Sequence, residues 1–162
     1  MRIQPKKIRI MRTYLRVGAI ILHKGKLITT KMQKNGETYH VLPGGGVEGN
    51  ETIIEALKRE VEEEVGLKII KFRMVYLREL NLKIEGGGRG IEFYFYVEEY
   101  SGIPKKGFDP EEKESSLEEI GFLDIKNLGN EIFHPTQLIG LLEEGIKEQF
   151  KEIKHLGIYD YP

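Results

Sequence analysis

The chain has 162 residues, which is long enough for one domain with its own hydrophobic core. Its 25 Lys and Arg residues nearly balance its 26 Asp and Glu residues, and the net charge of −1 argues against broad nucleic-acid binding, because such domains usually carry a large basic excess. The absence of cysteine excludes disulfide bonds, zinc–thiolate sites and cysteine nucleophiles. No apolar run is long enough to span a membrane, and residues 1–14 lack the apolar segment of a secretory signal, so we expect a cytoplasmic protein.

The first part of the chain predicts a β-hairpin that leads into a glycine turn. Residues 14–22 and 27–32 are rich in strand-forming side chains, and the segment 23–26 between them has the composition of a turn. A further short strand is expected over residues 39–42. It runs directly into Pro43 and three consecutive glycines, Gly44 to Gly46.

Residues 51–65 predict an amphipathic helix. Asn50 is the expected N-cap, and Gly66 is the expected C-terminal stop. Apolar side chains recur at three- and four-residue steps, which places them on the face that packs against a core. These residues are Ile54, Leu57, Val61 and Val65.

Three carboxylates gather on one side of this helix. Glu60, Glu63 and Glu64 stand at positions i, i+3 and i+4, and like charges at this spacing repel one another. A hard divalent cation would offset the repulsion, because Mg²⁺ and similar ions take oxygen ligands. Arg59 is expected to reach Glu55 and Glu63 at four-residue spacing. The cluster therefore predicts a metal site, and a solvated acidic face is the alternative interpretation of the carboxylates alone.

The second half of the chain predicts further strands and a second helix. Strands are expected over residues 68–80, 91–97 and 117–125, with loops over 85–90 and 101–116. A helix is expected to begin at residues 134–136 and to continue to about residue 151. Strands on both sides of a central helix indicate an α/β fold, with a mixed sheet and helices on both faces. Residues 1–12 and 152–162 are expected to lie outside the core, where they are candidates for a homodimer contact.

Residues 45–67 resemble an unbroken Nudix box, the signature of MutT-like hydrolases that cleave a nucleoside diphosphate linked to another group. The pattern consists of Gly45, five residues, Glu51, seven residues, Arg59-Glu60-Val61, one residue, Glu63-Glu64, one residue, and Gly66-Leu67. The resemblance covers about residues 13–148 within a single domain over 1–162. It implies the Nudix α/β/α sandwich, in which a mixed β-sheet lies between helices.

The resemblance also implies roles for individual residues. The side chains of Glu60, Glu63 and Glu64 and the backbone carbonyl of Gly44 would bind Mg²⁺ or Mn²⁺, which would lower the pKa of an attacking water. Gly45, Glu51 and Arg59 would support the site structurally. The resemblance does not determine which residue acts as the general base. Its candidates are Glu63, Glu64 and the later-loop residues Glu111, Glu112 and Glu114.

Other residues are weaker candidates for substrate contact, and structural roles are the alternative for each of them. Arginine suits phosphate oxygens and tyrosine can stack on a base, while histidine can act as a ligand or proton carrier. The candidates are Arg16, Arg78, Arg89, Tyr39, Tyr94, Tyr96, His40 and His134.

The leading hypothesis for the substrate is a nucleoside triphosphate or a related nucleoside diphosphate derivative. Relatives that hydrolyse ADP-ribose tend to carry a proline where this chain has Leu82, and those acting on dinucleoside polyphosphates tend to carry a tyrosine that residues 83–85 lack. Two alternatives remain open. One is a Nudix module that binds a nucleotide without cleaving it, and the other is a pyrophosphohydrolase of RNA 5′ ends.

Overall fold

A computed structural model describes residues 12–84, 87–105 and 117–161. These residues form eight β-strands, two α-helices and two short 3₁₀ segments. The strands are β1 (Arg12–His23), β2 (Lys26–Lys34), β3 (Glu37–Val41), β4 (Lys68–Leu82), β5 (Gly88–Ser101), β6 (Leu117–Leu123), β7 (Phe133–His134) and β8 (Lys154–Tyr161). The helices are α1 (Ile53–Val65) and α2 (Leu141–Lys147), and the 3₁₀ segments are Ile125–Asn130 and Thr136–Leu138. Within the described ranges, no helix has the length and apolar character needed to cross a membrane.

The strands form one mixed sheet, as the sequence predicted. Its order is β7-β3-β2-β1-β5-β4-β8, and β6 pairs with β2 beside this path. The predicted hairpin β1/β2 is antiparallel, and so is the pair β4/β5, whereas β1/β5 and β4/β8 are parallel. Only the last two residues of β1 pair with β2, so most of that side of β1 is available to another segment of the chain.

The two faces of β1 belong to two separate cores, because successive side chains of a strand point in opposite directions. Val17, Ala19 and Ile21 pack with the apolar stripe of α1, in which Leu57, Val61 and Val65 are fully buried. Ile20 points the other way, into a second core that contains the buried Leu138 and Leu142 of the 3₁₀ segment and α2. Helices therefore cover both faces of the sheet.

The N-terminal cap of α1 differs from the prediction. Thr52, not Asn50, is the N-cap, because it forms a complete capping box with Glu55. The Thr52 side chain accepts a hydrogen bond from the Glu55 backbone N–H at 3.2 Å, and the Glu55 carboxylate accepts one from the Thr52 N–H at 2.7 Å. Gly66 ends the helix in the left-handed conformation, with φ of 68°, as predicted.

The prediction of one long helix from residue 134 to about residue 151 is wrong. Gly140, with φ of 86°, separates the Thr136–Leu138 segment from α2, and α2 ends at Lys147. The following segment, which was placed outside the core, forms β8 and pairs in parallel with β4. The partner of β8 lies more than seventy residues earlier in the chain, so the pairing that defines this strand cannot be read from the local sequence.

Candidate active site

The glycine turn is held in the sheet as if it were a short strand. Residues 43–47 run antiparallel to the free side of β1. The Val17 N–H donates to the Gly45 carbonyl at 2.9 Å, and the Ala19 N–H donates to the Pro43 carbonyl at 2.7 Å. Gly44 has a φ of 149°, and a Cβ at this position would lie 2.8 Å from the Cα of Gly18. Only glycine lets the backbone approach β1 this closely.

The carboxylate of Glu60 packs directly against the backbone of Gly45. A Cβ added to Gly45 would lie only 2.5 Å from the Glu60 Cδ and 2.6 Å from its Oε2. Glu60 is 9% exposed, on the side of α1 that faces the turn. The second glycine of the triplet therefore provides the space that a buried carboxylate occupies.

Arg59 lies at the centre of the acidic cluster and joins it to the turn. Its guanidinium binds both oxygens of Glu51, at 2.7 and 3.1 Å, and its Nη2 also donates to the Gly46 carbonyl at 3.0 Å. Its Nη1 donates to Glu60 Oε1 at 2.9 Å and to Glu63 Oε2 at 3.0 Å. The predicted contact with Glu63 is confirmed, and the predicted contact with Glu55 is wrong, because the Glu55 carboxylate caps the helix instead.

Glu64 and Arg16 bind opposite ends of the same glycine. The Gly44 N–H donates to Glu64 Oε2 at 2.8 Å, and Arg16 Nη2 donates to the Gly44 carbonyl at 3.1 Å. Arg16 thus reaches the carbonyl that the family resemblance nominates as a metal ligand. The turn brings the three predicted glutamates, Gly44 and Arg16 into one region.

Burial and charge shift the protonation of this cluster in opposite directions. Burial raises the pKa of the Glu60 carboxyl above its usual value, and the hydrogen bond from Arg59 opposes that rise. The hydrogen bond from Arg59 lowers the pKa of the Glu51 carboxyl. The hydrogen bond to Glu51, followed by those to Glu60 and Glu63, raises the pKa of the Arg59 guanidinium. The carboxylates of Glu51, Glu60 and Glu63 are consequently gathered around the guanidinium of Arg59.

The donor chemistry of this cluster fits a hard divalent cation. Each nominated donor is an oxygen atom, either of a carboxylate or of the Gly44 carbonyl, which is the ligand type that Mg²⁺ and Mn²⁺ prefer. Among the described residues, no three Asp, Glu or His side chains are already grouped as a metal site. Glu60 and Glu63 instead share the Nη1 of Arg59, so their present arrangement is organised around the guanidinium.

A second charged cluster lies behind the turn, on the sheet face that carries α2. Glu92 of β5 is buried and accepts hydrogen bonds from Arg78 Nε and from the Tyr94 hydroxyl, the latter at 2.6 Å. Arg78 also donates to Gln137 Oε1 at 2.9 Å. Arg78 is thus directed at protein groups. Sequence reasoning missed Glu92, although a single acidic residue inside the apolar strand segment 91–97 was an available signal.

The remaining candidates lie apart from the acidic cluster in this structure. Tyr39 is half-buried in an edge contact with the ring of His134, at 5.6 Å between centroids. His40 is buried, and its Nδ1 lies 2.9 Å from the Thr29 hydroxyl. Arg89 donates to Asn81 at 2.7 Å. Tyr94 is buried against Glu92, and Tyr96 packs on the ring of Phe150.

The general-base candidates Glu111, Glu112 and Glu114 lie outside the described residues.

The chain matches a family model and several known proteins. The model of the NUDIX domain matches residues 12–141. An 8-oxo-dGTP diphosphatase from Buchnera aphidicola is 46% identical over 59 residues, which are 35% of this chain and 45% of that protein. An ADP-ribose pyrophosphatase from Methanocaldococcus jannaschii is 32% identical over 124 residues, which are 76% of this chain and 69% of that protein.

The fold is also found in solved structures. A MutT protein from Bacillus halodurans superimposes with a TM-score of 0.64 over 91% of this chain and 90% of its own, at 18% sequence identity. The chain spans less than half of the length of the Buchnera relative, so that protein's activity does not transfer directly. The family model, however, covers most of the chain, and the archaeal relative aligns over two thirds of its length. The chain therefore belongs to the Nudix family, with the MutT-like fold that its signature predicted.

Proposed function

We propose that the protein is a metal-dependent pyrophosphohydrolase that cleaves the diphosphate linkage of a nucleoside triphosphate or a nucleoside diphosphate derivative. The observation that carries the proposal is the gathering of Glu60, Glu63 and Glu64 around the Gly44–Gly46 turn. The names of the bacterial and archaeal relatives support the class of bond, because both proteins are described as hydrolases of nucleotide diphosphate linkages.

The side chains of Glu60, Glu63 and Glu64 and the carbonyl of Gly44 would hold the divalent ion. When bound there, Mg²⁺ or Mn²⁺ would neutralise charge on the diphosphate and lower the pKa of a nearby water. Arg59 presently balances the negative charge of Glu60 and Glu63. Its double contact with Glu51 and its bond to the Gly46 carbonyl keep the guanidinium in place.

The chain's own groups would supply binding and proton transfer. The guanidinium of Arg16 lies at the rim of the turn with its side chain 36% exposed, where it can bind a phosphate oxygen. Water attacks a phosphorus atom of the linkage, the bond to the bridging oxygen breaks, and a carboxylate accepts the water's proton. We propose Glu63 or Glu64 as the carboxylate that accepts this proton.

The rival function is a module that binds a nucleotide without cleaving it. Such a module has no chemical requirement for three adjacent carboxylates, which repel one another and the phosphates of a ligand. This chain carries all three, together with an arginine network that orients two of them. The arrangement therefore favours hydrolysis over binding alone.

Incubation of the purified protein with Mg²⁺ or Mn²⁺ and a panel of nucleotides tests the proposal. The panel should contain nucleoside triphosphates, oxidised nucleotides, ADP-ribose and triphosphorylated RNA, with identification of the products. Glu63→Gln and Glu64→Gln should each lower kcat by about 10²-fold or more, the range expected for loss of general-base catalysis or of a metal ligand. Glu62→Gln is the matched control, because Glu62 lies on the same helix with its side chain 59% exposed.

Absence of turnover by the wild type on every nucleotide would refute the proposed activity. Turnover by the Glu63→Gln and Glu64→Gln variants equal to that of Glu62→Gln would refute the assigned site. Tight nucleotide binding without hydrolysis would instead support the rival function.

A further inference from the structure

One buried carboxylate on β5 lies between two arginines on the neighbouring strands. Glu92 is the register partner of Arg16 in the parallel β1/β5 pair and of Arg78 in the antiparallel β4/β5 pair. Residues directly opposite each other on adjacent strands project from the same face, so the three side chains form a row across the sheet. Arg16 is the member of this row that extends to the glycine turn.

Glu92 contacts the two arginines with different oxygens. Its Oε2 accepts from Arg78 Nε and from the Tyr94 hydroxyl, while its Oε1 lies 4.0 Å from Arg16 Nε. The Glu92 side chain is only 8% exposed and that of Arg78 only 10%, whereas that of Arg16 is 36% exposed. The row is thus buried at Arg78 and accessible to solvent at Arg16.

The charges of the row leave one positive charge in excess. Two guanidinium groups face a single carboxylate, and arginine remains ionised in proteins. Arg16 donates one N–H group to the Gly44 carbonyl, and its Nε forms an ion pair with Glu92 at 4.0 Å, which is longer than a hydrogen bond. The guanidinium carries five N–H donors, and among the described residues Arg16 makes one hydrogen bond, so further donors can bind an anionic ligand at the turn.

We propose that Glu92 is a positioning residue that fixes the guanidinium of Arg16 over the Gly44 carbonyl and thereby orients it towards the phosphates of the nucleotide. Glu92 does not touch the substrate. It acts through Arg16, from behind the turn and on the opposite face of the sheet from α1. This inference rests on the proposed function, because it assigns to Arg16 the phosphate that the hydrolase would bind.

A purely structural role for Glu92 predicts different behaviour. If Glu92 served only as the buried partner of Arg78, its replacement would destabilise the protein but leave substrate binding by the folded molecules unchanged. If Glu92 orients Arg16, its replacement weakens substrate binding, and that loss depends on the presence of Arg16. A double-mutant cycle separates the two roles.

The experiment compares wild type, Glu92→Gln, Arg16→Ala and the double variant. Glu92→Gln should raise KM about tenfold, equivalent to about 1.4 kcal/mol, and should change kcat much less. In the Arg16→Ala background, Glu92→Gln should have no further effect on KM. Glu98→Gln is the matched control, because Glu98 is also on β5 and pairs with Arg73 of β4 at 3.1 Å, far along the strand from the turn. It should leave KM unchanged.

Calorimetric binding of an α,β-methylene nucleoside triphosphate without metal gives a second readout that needs no turnover. Equal affinity in wild type and Glu92→Gln, or an equal loss of affinity in the presence and absence of Arg16, overturns the positioning role. If Glu92→Gln does not fold, Glu92→Asp retains the negative charge but draws the carboxylate back from both arginines, and its effect on binding is measured with and without Arg16. Weaker binding by that variant supports the proposal, and unchanged binding overturns it.

The two hypotheses fail in distinguishable ways. A wild type that binds the nucleotide with the expected coupling but does not cleave it refutes hydrolysis and supports the role of Glu92. A wild type that cleaves the nucleotide while Glu92→Gln remains normal refutes only the role of Glu92. A wild type that neither binds nor cleaves any nucleotide overturns both.

Discussion

Gly45→Ala is the most direct structural test of the site, because it adds one methyl group at the place where the Glu60 carboxylate lies. The added Cβ would be 2.5 Å from the Glu60 Cδ, whereas carbon atoms in contact normally lie about 3.5–4.0 Å apart. The φ of Gly45 is not in the left-handed region, so alanine adds no backbone strain there. The carboxylate must therefore move by about 1 Å or more.

This displacement has consequences for stability and activity that can be measured separately. It would stretch the 2.9 Å hydrogen bond between Glu60 and Arg59, and a hydrogen bond to a charged group contributes about 1.5–3 kcal/mol. We expect the free energy of unfolding in urea to fall by about that amount. A misplacement of about 1 Å in a catalytic group can cost about 10²-fold in rate, so we expect a loss of that size in kcat/KM.

Gly129→Ala is the control, since a Cβ there would meet only the Ile139 Cγ2 at 3.9 Å. The cause is checked with Glu60→Ala, which removes the obstructed carboxylate. Gly45→Ala should then cause no further loss of stability in the Glu60→Ala background. The reasoning would be refuted if Gly45→Ala had the stability and kcat/KM of the wild type. It would also be refuted if Gly45→Ala lowered the stability of the Glu60→Ala variant as much as that of the wild type.

Three further predictions concern the helix cap, the arginine network and the buried histidine. Thr52→Ala should lower the free energy of unfolding by about 1 kcal/mol through loss of the N-cap, whereas Thr52→Ser should not. Arg59 lowers the pKa of Glu51, so the ionised Glu51 carboxylate stabilises the fold at pH values above its usual pKa. This stabilisation is lost as the pH falls through the lowered pKa of the folded state. The difference in free energy of unfolding between wild type and Glu51→Gln should therefore become smaller in acid. Burial lowers the pKa of His40, so the neutral ring is favoured in the folded state and stability should fall as pH drops below about 6.5. Denaturant titrations at pH 7.5 and 5.5 should show a smaller loss for His40→Gln than for wild type, and an equal loss would contradict the assignment.

The features that were predictable from sequence are those set by neighbours along the chain. The helix α1 follows from its apolar periodicity and the Gly66 stop, and the hairpin β1/β2 follows from two strand-forming runs around a short turn. The location of the acidic cluster follows from helical spacing alone. The N-cap was misassigned because Asn50 and Thr52 are both good capping residues, and the choice depends on whether Glu55 can complete the box.

Most of the features that were not predicted depend on residues distant in sequence, and the break at Gly140 is a local exception. The strand β8 is defined by its pairing with β4, and Gly140 interrupts the predicted second helix in a left-handed conformation that glycine adopts readily. Arg78 was a candidate phosphate ligand because of its chemistry, but its burial and pairing depend on Glu92, fourteen residues away on another strand. Sequence identifies which groups carry charge, whereas the sheet register determines which charges meet.

The hydrogen bonding of residues 43–47 along β1 determines how this site can respond to a ligand. A surface loop would lose conformational entropy on closing around a nucleotide, whereas this segment is already immobilised by the sheet. The backbone of this segment therefore needs no ordering when a ligand binds, which makes the carbonyl of Gly44 a preorganised fixed point. Loops elsewhere can differ in sequence while the backbone at this turn keeps its shape.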